Sequence, residues 1–378
     1  MRRTLLTTVA ALLAVGTLGS AWAQTLTLSV DCARGQTISH ALTQGDARKP
    51  LVVVVTGTCN EFVTITRNDV TLMGAPGVGA TVNGPGSSES RGVIDVLASR
   101  AMIENLIVTG GRFGIRVQSA FGAVVENCVV QNTSGDGIRV VVGEVDISET
   151  DVQDTGGNGV AAMRGGTLRV SGGEILRNTV SGIRGDQNAT LAVNGVTVAN
   201  NGSNGIELTN NSYGSITSST ITGNGTNTTR PGHGVYVSGS QAVVSRNPAI
   251  NNNRDGGVLS TGGSDVNISG TTIIGSHGSG VHSIHGGTLA ISGGEISGHE
   301  VVGVLCELNC TALLANTTIR DNVGDGINVN GGSKLKFTYA TTHSIFNGGY
   351  GVFCGDGASS VFDTSLLDGS VSPACTVY

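Results

Sequence analysis

The sequence predicts an all-β chain wound as a parallel β-helix, a single-stranded solenoid of about twelve coils of about 23 residues with a short N-terminal capping helix. Three observations carry this reading. A glycine followed by Ile or Val returns at Gly92, Gly114, Gly137, Gly159, Gly182, Gly205, Gly234, Gly257, Gly280, Gly303, Gly326 and Gly351, mostly at intervals of 22 or 23 residues. The residues after each glycine alternate with period 2, which marks a short strand with one face inward. Between the apolar clusters lie Asn, Gly, Asp and Ser, which accept the left-handed backbone of tight turns.

The chain opens with Arg2 and Arg3, an apolar run from Leu5 to Leu18, then Ala21-Trp22-Ala23. A basic segment, an apolar segment and a small-x-small site form a secretion signal. Residues 1–23 are therefore expected to be removed, leaving a mature chain that starts at Gln24 and is periplasmic or secreted. No later stretch reaches 18 apolar residues, so no transmembrane helix is expected. Residues 24–90 should hold the N-terminal cap and first coils, and 91–378 the β-helix with its C-terminal cap. In the first block, 35–42 reads as a short helix with Ile38, Ala41 and Leu42 on one side, able to lie across the first coil. Segments 51–55, 62–65 and 70–73 read as opening strands.

Each later repeat supplies three strands. Ile115, Ile138, Val160 and Ile183 follow the glycine, and Val117, Val140, Ala162 and Gly185 come two residues on. Leu168-Arg169-Val170 and Leu191-Ala192-Val193 exemplify a second apolar cluster. Leu106, Cys128, Val152, Ile175 and Val198 begin a third column. Three residues past that column stand Asn178, Asn201, Asn224 and Asn253, then Ser276, His299 and Asn322. Stacked asparagines bond to one another and to backbone groups, so this column reads as structural. The interval from Gly205 to Gly234 is the longest, and its excess is placed in 223–232 as a surface loop. Such insertions often flank a binding side. Tyr339, Phe346, Tyr350, Phe353 and Phe362 concentrate near the end, where they are expected to thicken the last core layers.

Glycine makes up 60 of 378 residues, while charged residues are only 13% and the net charge is −6. There is no basic field for nucleic acid, so no nucleic-acid partner is expected. Low charge with a mean hydropathy of +0.14 argues against disorder. Seven cysteines behind a secretion signal point to disulfides. Their positions suggest the couples Cys32 with Cys59, Cys306 with Cys310 and Cys354 with Cys375, although spacing alone does not fix connectivity. That pairing leaves Cys128 as an inert buried thiol. Cysteine and histidine do not alternate at zinc-site spacing, so no metal site is expected.

The outward positions of the glycine strands carry Arg116, Arg139 and Arg184, then Glu207, Tyr236 and His282. Asp136 lies three residues before Arg139, and His233 follows the inserted loop. A guanidinium grips a carboxylate in bidentate fashion, so arginines spaced along a strand face suit an anionic polymer. The strand bearing His277, His282 and His285 offers no acidic neighbour, which leaves a general-base role without support. No catalytic residue is assigned.

The Gly-Ile/Val-x-apolar strand motif, the Asn-rich turns and the opening helix resemble right-handed parallel β-helix proteins of the pectate-lyase-like superfamily. The resemblance spans roughly 25–367 and is specific for the fold. It implies a right-handed coil and a place among polysaccharide lyases, glycoside hydrolases, epimerases, adhesins and tailspikes. Pectate lyases pair calcium-binding carboxylates with a basic residue, so calcium is implied only if the protein is a lyase, and no other cofactor is expected. No cluster of Asp residues accompanies the three arginines. A glycosidase needs two carboxyl groups; register places Glu207 near His233 and offers no second acid. The leading expectation is a protein that binds, or also cleaves, an anionic polysaccharide. The alternative is a non-catalytic structural or adhesive surface protein. A metal-handling protein is a third reading, resting on His277, His282, His285 and His299.

Overall fold

The structure is a computed structural model that describes residues 25–86, 90–338, 341–358 and 364–376. The expected leader, Tyr339 and Phe362 lie outside the described residues. One coil shows the plan. Ile138–Val141 lies in a first sheet, Glu144–Ser148 in a second and Asp151–Gln153 in a third. Each strand pairs in parallel with its counterparts one coil before and one coil after, as Ile138 does with Ile115 and Val160. The first sheet has thirteen strands. The other two count 27 between them, because Leu51–Asn60 bends at Gly57 and serves both. The solenoid therefore has about fourteen turns, more than the glycine motif marks, because the opening coils lack that motif.

Each corner turns on a left-handed residue. In the same coil these are Val142 (φ 49°), Glu149 (φ 44°) and Asp154 (φ 54°). A β-branched residue is the least suited to this region. Val142 is also exposed, so Val142→Asn is expected to raise stability by about 1 kcal/mol, read as a higher urea midpoint with an unchanged slope.

The recurring glycines serve close approach. Gly182 does not have a positive φ; a Cβ there would lie 2.4 Å from Val198 Cγ1 and 2.8 Å from the Gly205 carbonyl oxygen. The backbone of one coil rests on the next with no room between. Gly92 does not belong to this column. Pairing sets Ile94 opposite Ile115 and Asp95 opposite Arg116, so Val93 takes the place of Gly114. The register read from Gly92 is thus one residue out in that coil.

Polar ladders line the inside of all three corners. At the asparagine corner, Asn178 donates from both its backbone N and Nδ2 to Asn201 Oδ1, at 3.0 and 2.9 Å. Asn201 repeats this on Asn224, and Asn224 on Asn253. His299 occupies the same column. Its Nδ1 accepts from Ser276 N (3.2 Å), and its Nε2 donates to Ile273 O (3.1 Å), which fixes a neutral tautomer. At a second corner the backbone N of Ala189, Ser212 and Ser240 each donates to the serine hydroxyl one coil on. At the third, Cys128 N donates to Thr150 Oγ1 and Ser219 N to Asn247 Oδ1. Satisfying these buried donors removes a cost of about 1–3 kcal/mol for each group otherwise left unpaired.

Cys128 stands in that third corner column, beside Thr150. The strand register matches Val152 to Val130, so the expected equivalence of Cys128 and Val152 is corrected by two residues. The thiol is buried and free, and burial pushes it up to about 11. The other six cysteines form Cys32–Cys59, Cys306–Cys310 and Cys354–Cys375.

The helix Ile38–Leu42 closes the first coil with Ile38 and Ala41 buried. Thr37 caps it, accepting from His40 N, and Glu61 accepts from Ile38 N (2.7 Å) and Ser39 N (3.0 Å). Of the predicted C-terminal aromatics that are described, Phe346, Tyr350 and Phe353 do not thicken the core as expected. Phe346 and Tyr350 are exposed, with Tyr350 stacked on Phe353 at 6.3 Å. Among the described residues, Phe337 is the aromatic buried in the last layers.

Candidate functional site

The outward column of the first sheet runs from Asp95 through Arg116, Arg139, Ala161, Arg184, Glu207, Tyr236, Leu259 and His282, one residue per coil. The strand period brings the predicted residues onto one face. Ala161 faces outward yet is fully buried, because it lies between Arg139 and Arg184.

The three arginines differ in what holds them. Arg116 is occupied: Nε and Nη2 donate to the two oxygens of Asp95 at 2.7 and 2.9 Å, and Nη1 donates to Ser90 O. Arg184 sits between two acids, Nη2 at 3.4 Å from Asp186 and Nε at 3.6 Å from Glu207. Arg139 Nη1 lies 3.5 Å from one carboxylate oxygen, Asp136 Oδ2, and Nη2 contacts Met163 Sδ at 3.0 Å, while Asp136 Oδ1 accepts from Asn158 N and Nδ2. The Arg139 guanidinium lies over the Phe113 ring at 4.7 Å. Burial, together with the charges of Arg112, Arg116 and Arg164, holds Arg139 below its usual value although Asp136 opposes this. Of the three arginines it has the least carboxylate contact, although Arg184 Nε is also buried without a hydrogen bond.

Further along, the Ser181 hydroxyl donates to Glu207 Oε2 at 2.7 Å, and Asn204 Nδ2 approaches the same oxygen at 3.3 Å. Asn204 Oδ1 accepts from His233 N (3.0 Å), so Asn204 links Glu207 to His233. Asp186 is the second acid that the sequence did not single out. Burial tends to raise its carboxyl, but bonds from Asn210 and Thr209 and the Arg184 charge outweigh that and hold it low. Both carboxylates are bound as acceptors, and neither is arranged as a proton donor.

His282 does have an acidic partner, which corrects the expectation. Its Nε2 lies 3.1 Å from Glu307 Oε1 on the following coil. Glu307 escapes the strand pattern because it sits diagonally, opposite Ile284. Asp95 was missed through the one-residue register error at Gly92. Asp186 was legible by period 2 from Arg184. His233 stacks near Tyr236 with ring centroids 6.2 Å apart, and its Nδ1 is buried without a partner. The four histidines of the metal-handling reading do not converge: His277 faces Glu300, His282 faces Glu307, His285 faces Thr261 and His299 lies in the internal ladder. Among the described residues the one grouping of metal-ligand types is Cys32, Cys59 and Glu61. Its sulfurs are joined in a disulfide and its carboxylate caps the helix.

Burial lowers His233 to about 4 and also lowers His282 and His299, in the case of His282 against the opposing pull of Glu307. Groups whose folded pKa is depressed bind more protons when unfolded, so stability falls with pH. The three histidines contribute fully above about pH 6.5, and their contribution is lost as pH falls toward 4. His233 alone accounts for up to about 3 kcal/mol. Urea midpoints measured from pH 7.5 to 4.5 should fall, and His233→Gln should flatten that slope.

A model of the right-handed beta helix region matches residues 92–230 and 226–366. The chain belongs to the right-handed β-helix family. Among solved structures, this β-helix is similar to the catalytic unit of a GH87 alpha-1,3-glucanase from Streptomyces thermodiastaticus, with 15% identity, TM-score 0.55, and coverage of 88% of this chain and 68% of that one. It is similar to the tailspike receptor binding domain of Siphovirus 9NA at 13% identity and TM-score 0.53, covering 93% and 76%. The Dettilon tailspike protein gives 15% identity and TM-score 0.50, covering 78% of this chain and 62% of that one. At these identities the likeness is one of fold. No curated protein matches the chain in sequence. No helix among the described residues is long and apolar enough to cross a membrane.

Proposed function

We propose that this β-helix acts outside the cytoplasm and binds an acidic polysaccharide across the outer face of the first sheet, centred on Arg139. The carrying observation is the weak carboxylate pairing of Arg139, a half-buried guanidinium 3.5 Å from Asp136 and next to Arg116 in the column, which burial and then the charges of Arg112, Arg116 and Arg164 hold below its usual value. Arg112 and Arg164 are exposed at the two edges of the same sheet. The three make a local basic diagonal on a chain whose net charge is −6. A uronate carboxylate entering there would relieve the like-charge repulsion and replace the weak Asp136 contact.

The remaining predicted residues, Arg116, Asp136, Arg184, Glu207, His233, Tyr236 and His282, flank this centre as a largely self-satisfied surface. That favours binding over cleavage, since Glu207 and Asp186 are both held as hydrogen-bond acceptors by neighbouring side chains. Three disulfides suit an oxidising compartment, and the mature protein is expected to begin at Gln24 on N-terminal sequencing. The alternative, a structural or adhesive surface protein, is favoured by the internal pairing of Arg116 and Arg184.

The test is a low-salt binding screen against pectate, alginate and uronic-acid-rich glycans, with and without calcium, read together with absorbance at 235 nm. Retention of an acidic glycan without unsaturated product supports the binding reading. Product would make the protein a lyase, and failure to retain any acidic glycan would leave the structural reading.

A further inference from the structure

A groove of about 720 Å³ runs along the corner between the third and first sheets, away from the arginine column. A second groove of about 530 Å³ continues it, and the two share Arg177 and Thr179. The line of corners begins at Gly84, passes Asn132, Asp154, Arg177 and Asn200, and ends at Thr226 and Asn227 in the inserted loop. Six coil steps of about 4.8 Å make it roughly 29 Å long, parallel to the solenoid axis.

The lining has a distinct chemistry. Gly110, Gly111 and Gly156 keep the floor low. Ser134, Thr179, Asn132, Asn200 and Asn227 present hydroxyls and amides. The charged groups are Arg177 and Asp154, and they cancel: Arg177 Nε and Nη2 donate to the two Asp154 oxygens, each at 2.9 Å, and Nη2 also donates to Gln153 at 2.7 Å. The groove is polar without net charge, so an acidic polymer has no free cation to meet there.

The far wall is held in place. Arg254 Nη1 donates to Gly225 O (3.0 Å) and Asn227 O (2.6 Å), while Nε and Nη2 bind Asp255 at 2.7 and 2.8 Å. Asp255 in turn accepts from Gly232 N at 2.8 Å. One guanidinium and one carboxylate thus clamp both ends of the insertion against the coil below, as a fixed stop.

We propose that this groove is a second glycan site, taking an unbranched neutral polysaccharide laid along the axis at about one hexopyranose per coil, with the 223–232 loop as its end stop. Exposed hydroxyl or amide side chains on four of the seven coils, at Asn132 and Ser134, Thr179, Asn200, and Thr226, are spaced along the axis to meet the hydroxyls of a polymer lying over glycine. Close backbone approach over glycine lets a sugar ring lie flat on the floor. The site borders the first sheet at Gly111 and Ser134, beside Arg112, but its lining does not include Arg139 or Asp136, so it does not depend on that reading.

The test is affinity electrophoresis of the secreted protein in gels containing amylose, dextran or a linear β-1,3-glucan. Thr179→Trp and Ser134→Trp place bulk at two exposed groove positions; circular dichroism melting checks that each folds, and if one does not, the other decides. The expected result is retardation by at least one neutral glucan, weakened about tenfold or more by the tryptophans and unchanged by Arg139→Ala. The proposal is overturned if no neutral glucan retards the protein, if retardation survives the tryptophans, or if it disappears with Arg139→Ala. Acidic-glycan binding is scored in separate gels, so either site can fail alone.

Discussion

Gly182→Ala is expected to cost about 3 kcal/mol, and Gly182→Val to leave no cooperative folded state. The added carbon would meet Val198 Cγ1 at 2.4 Å, with Asn201 Nδ2 and the Gly205 carbonyl oxygen each at 2.8 Å. Two of those neighbours belong to hydrogen-bond ladders and cannot move aside without breaking them. Gly195 supplies the contrast. Its φ is +66°, and a Cβ there would meet nothing within 4 Å. Gly195→Ala should therefore cost only the left-handed strain of about 1 kcal/mol. Urea unfolding of the two alanine variants separates crowding from conformation, and equal losses would contradict the packing described.

Asn201→Leu should be similarly severe, at about 3–5 kcal/mol. The substitution removes the one oxygen that accepts from both Asn178 N and Asn178 Nδ2. It also removes Nδ2, which donates to Ile175 O (3.1 Å) and Asn224 Oδ1 (2.9 Å). At least two donors and an acceptor are then buried without partners, in a column whose members Asn178, Asn201, Asn224 and Asn253 are all buried. Asn201→Ser should recover little, because its hydroxyl is too short to span the coil spacing in both directions. Thermal melting of the two variants measures this, and a loss below about 1 kcal/mol for leucine would mean that the ladder does not hold the corner.

Much of the fold was legible because it is periodic. Gly137, Ile138 and Val140 announce the same coil that Gly159, Val160 and Ala162 repeat, and the asparagine column showed itself at its true spacing. The failures came where periodicity ends. The opening coils lack the glycine, so Gly92 was counted into a column to which it does not belong, and Asp95 was lost with it. Cys128 was matched to Val152 because a 22-residue coil and a 24-residue interval look alike without the ladder at Thr150.

The candidate face was legible as a set of positions and illegible as chemistry. The strand period placed Arg116, Arg139 and Arg184 together, yet their differences arise from partners on other coils or at diagonal positions. Asp95 quenches Arg116, Asp186 and Glu207 share Arg184, and Glu307 reaches His282 from the next coil. The groove along the corner was invisible for a related reason, since it is made by short turns and a clamped insertion rather than by a motif.

The central claim is that Arg139 is the anchor for an acidic polymer. Isothermal titration of wild type and Arg139→Ala with oligogalacturonate or oligoalginate at low salt tests it most directly. The account predicts wild-type binding that weakens as salt rises and a loss of about 1–3 kcal/mol in the variant, with its melting temperature little changed. Equal affinity of the two proteins, or no heat with any acidic oligomer at low salt, would contradict it.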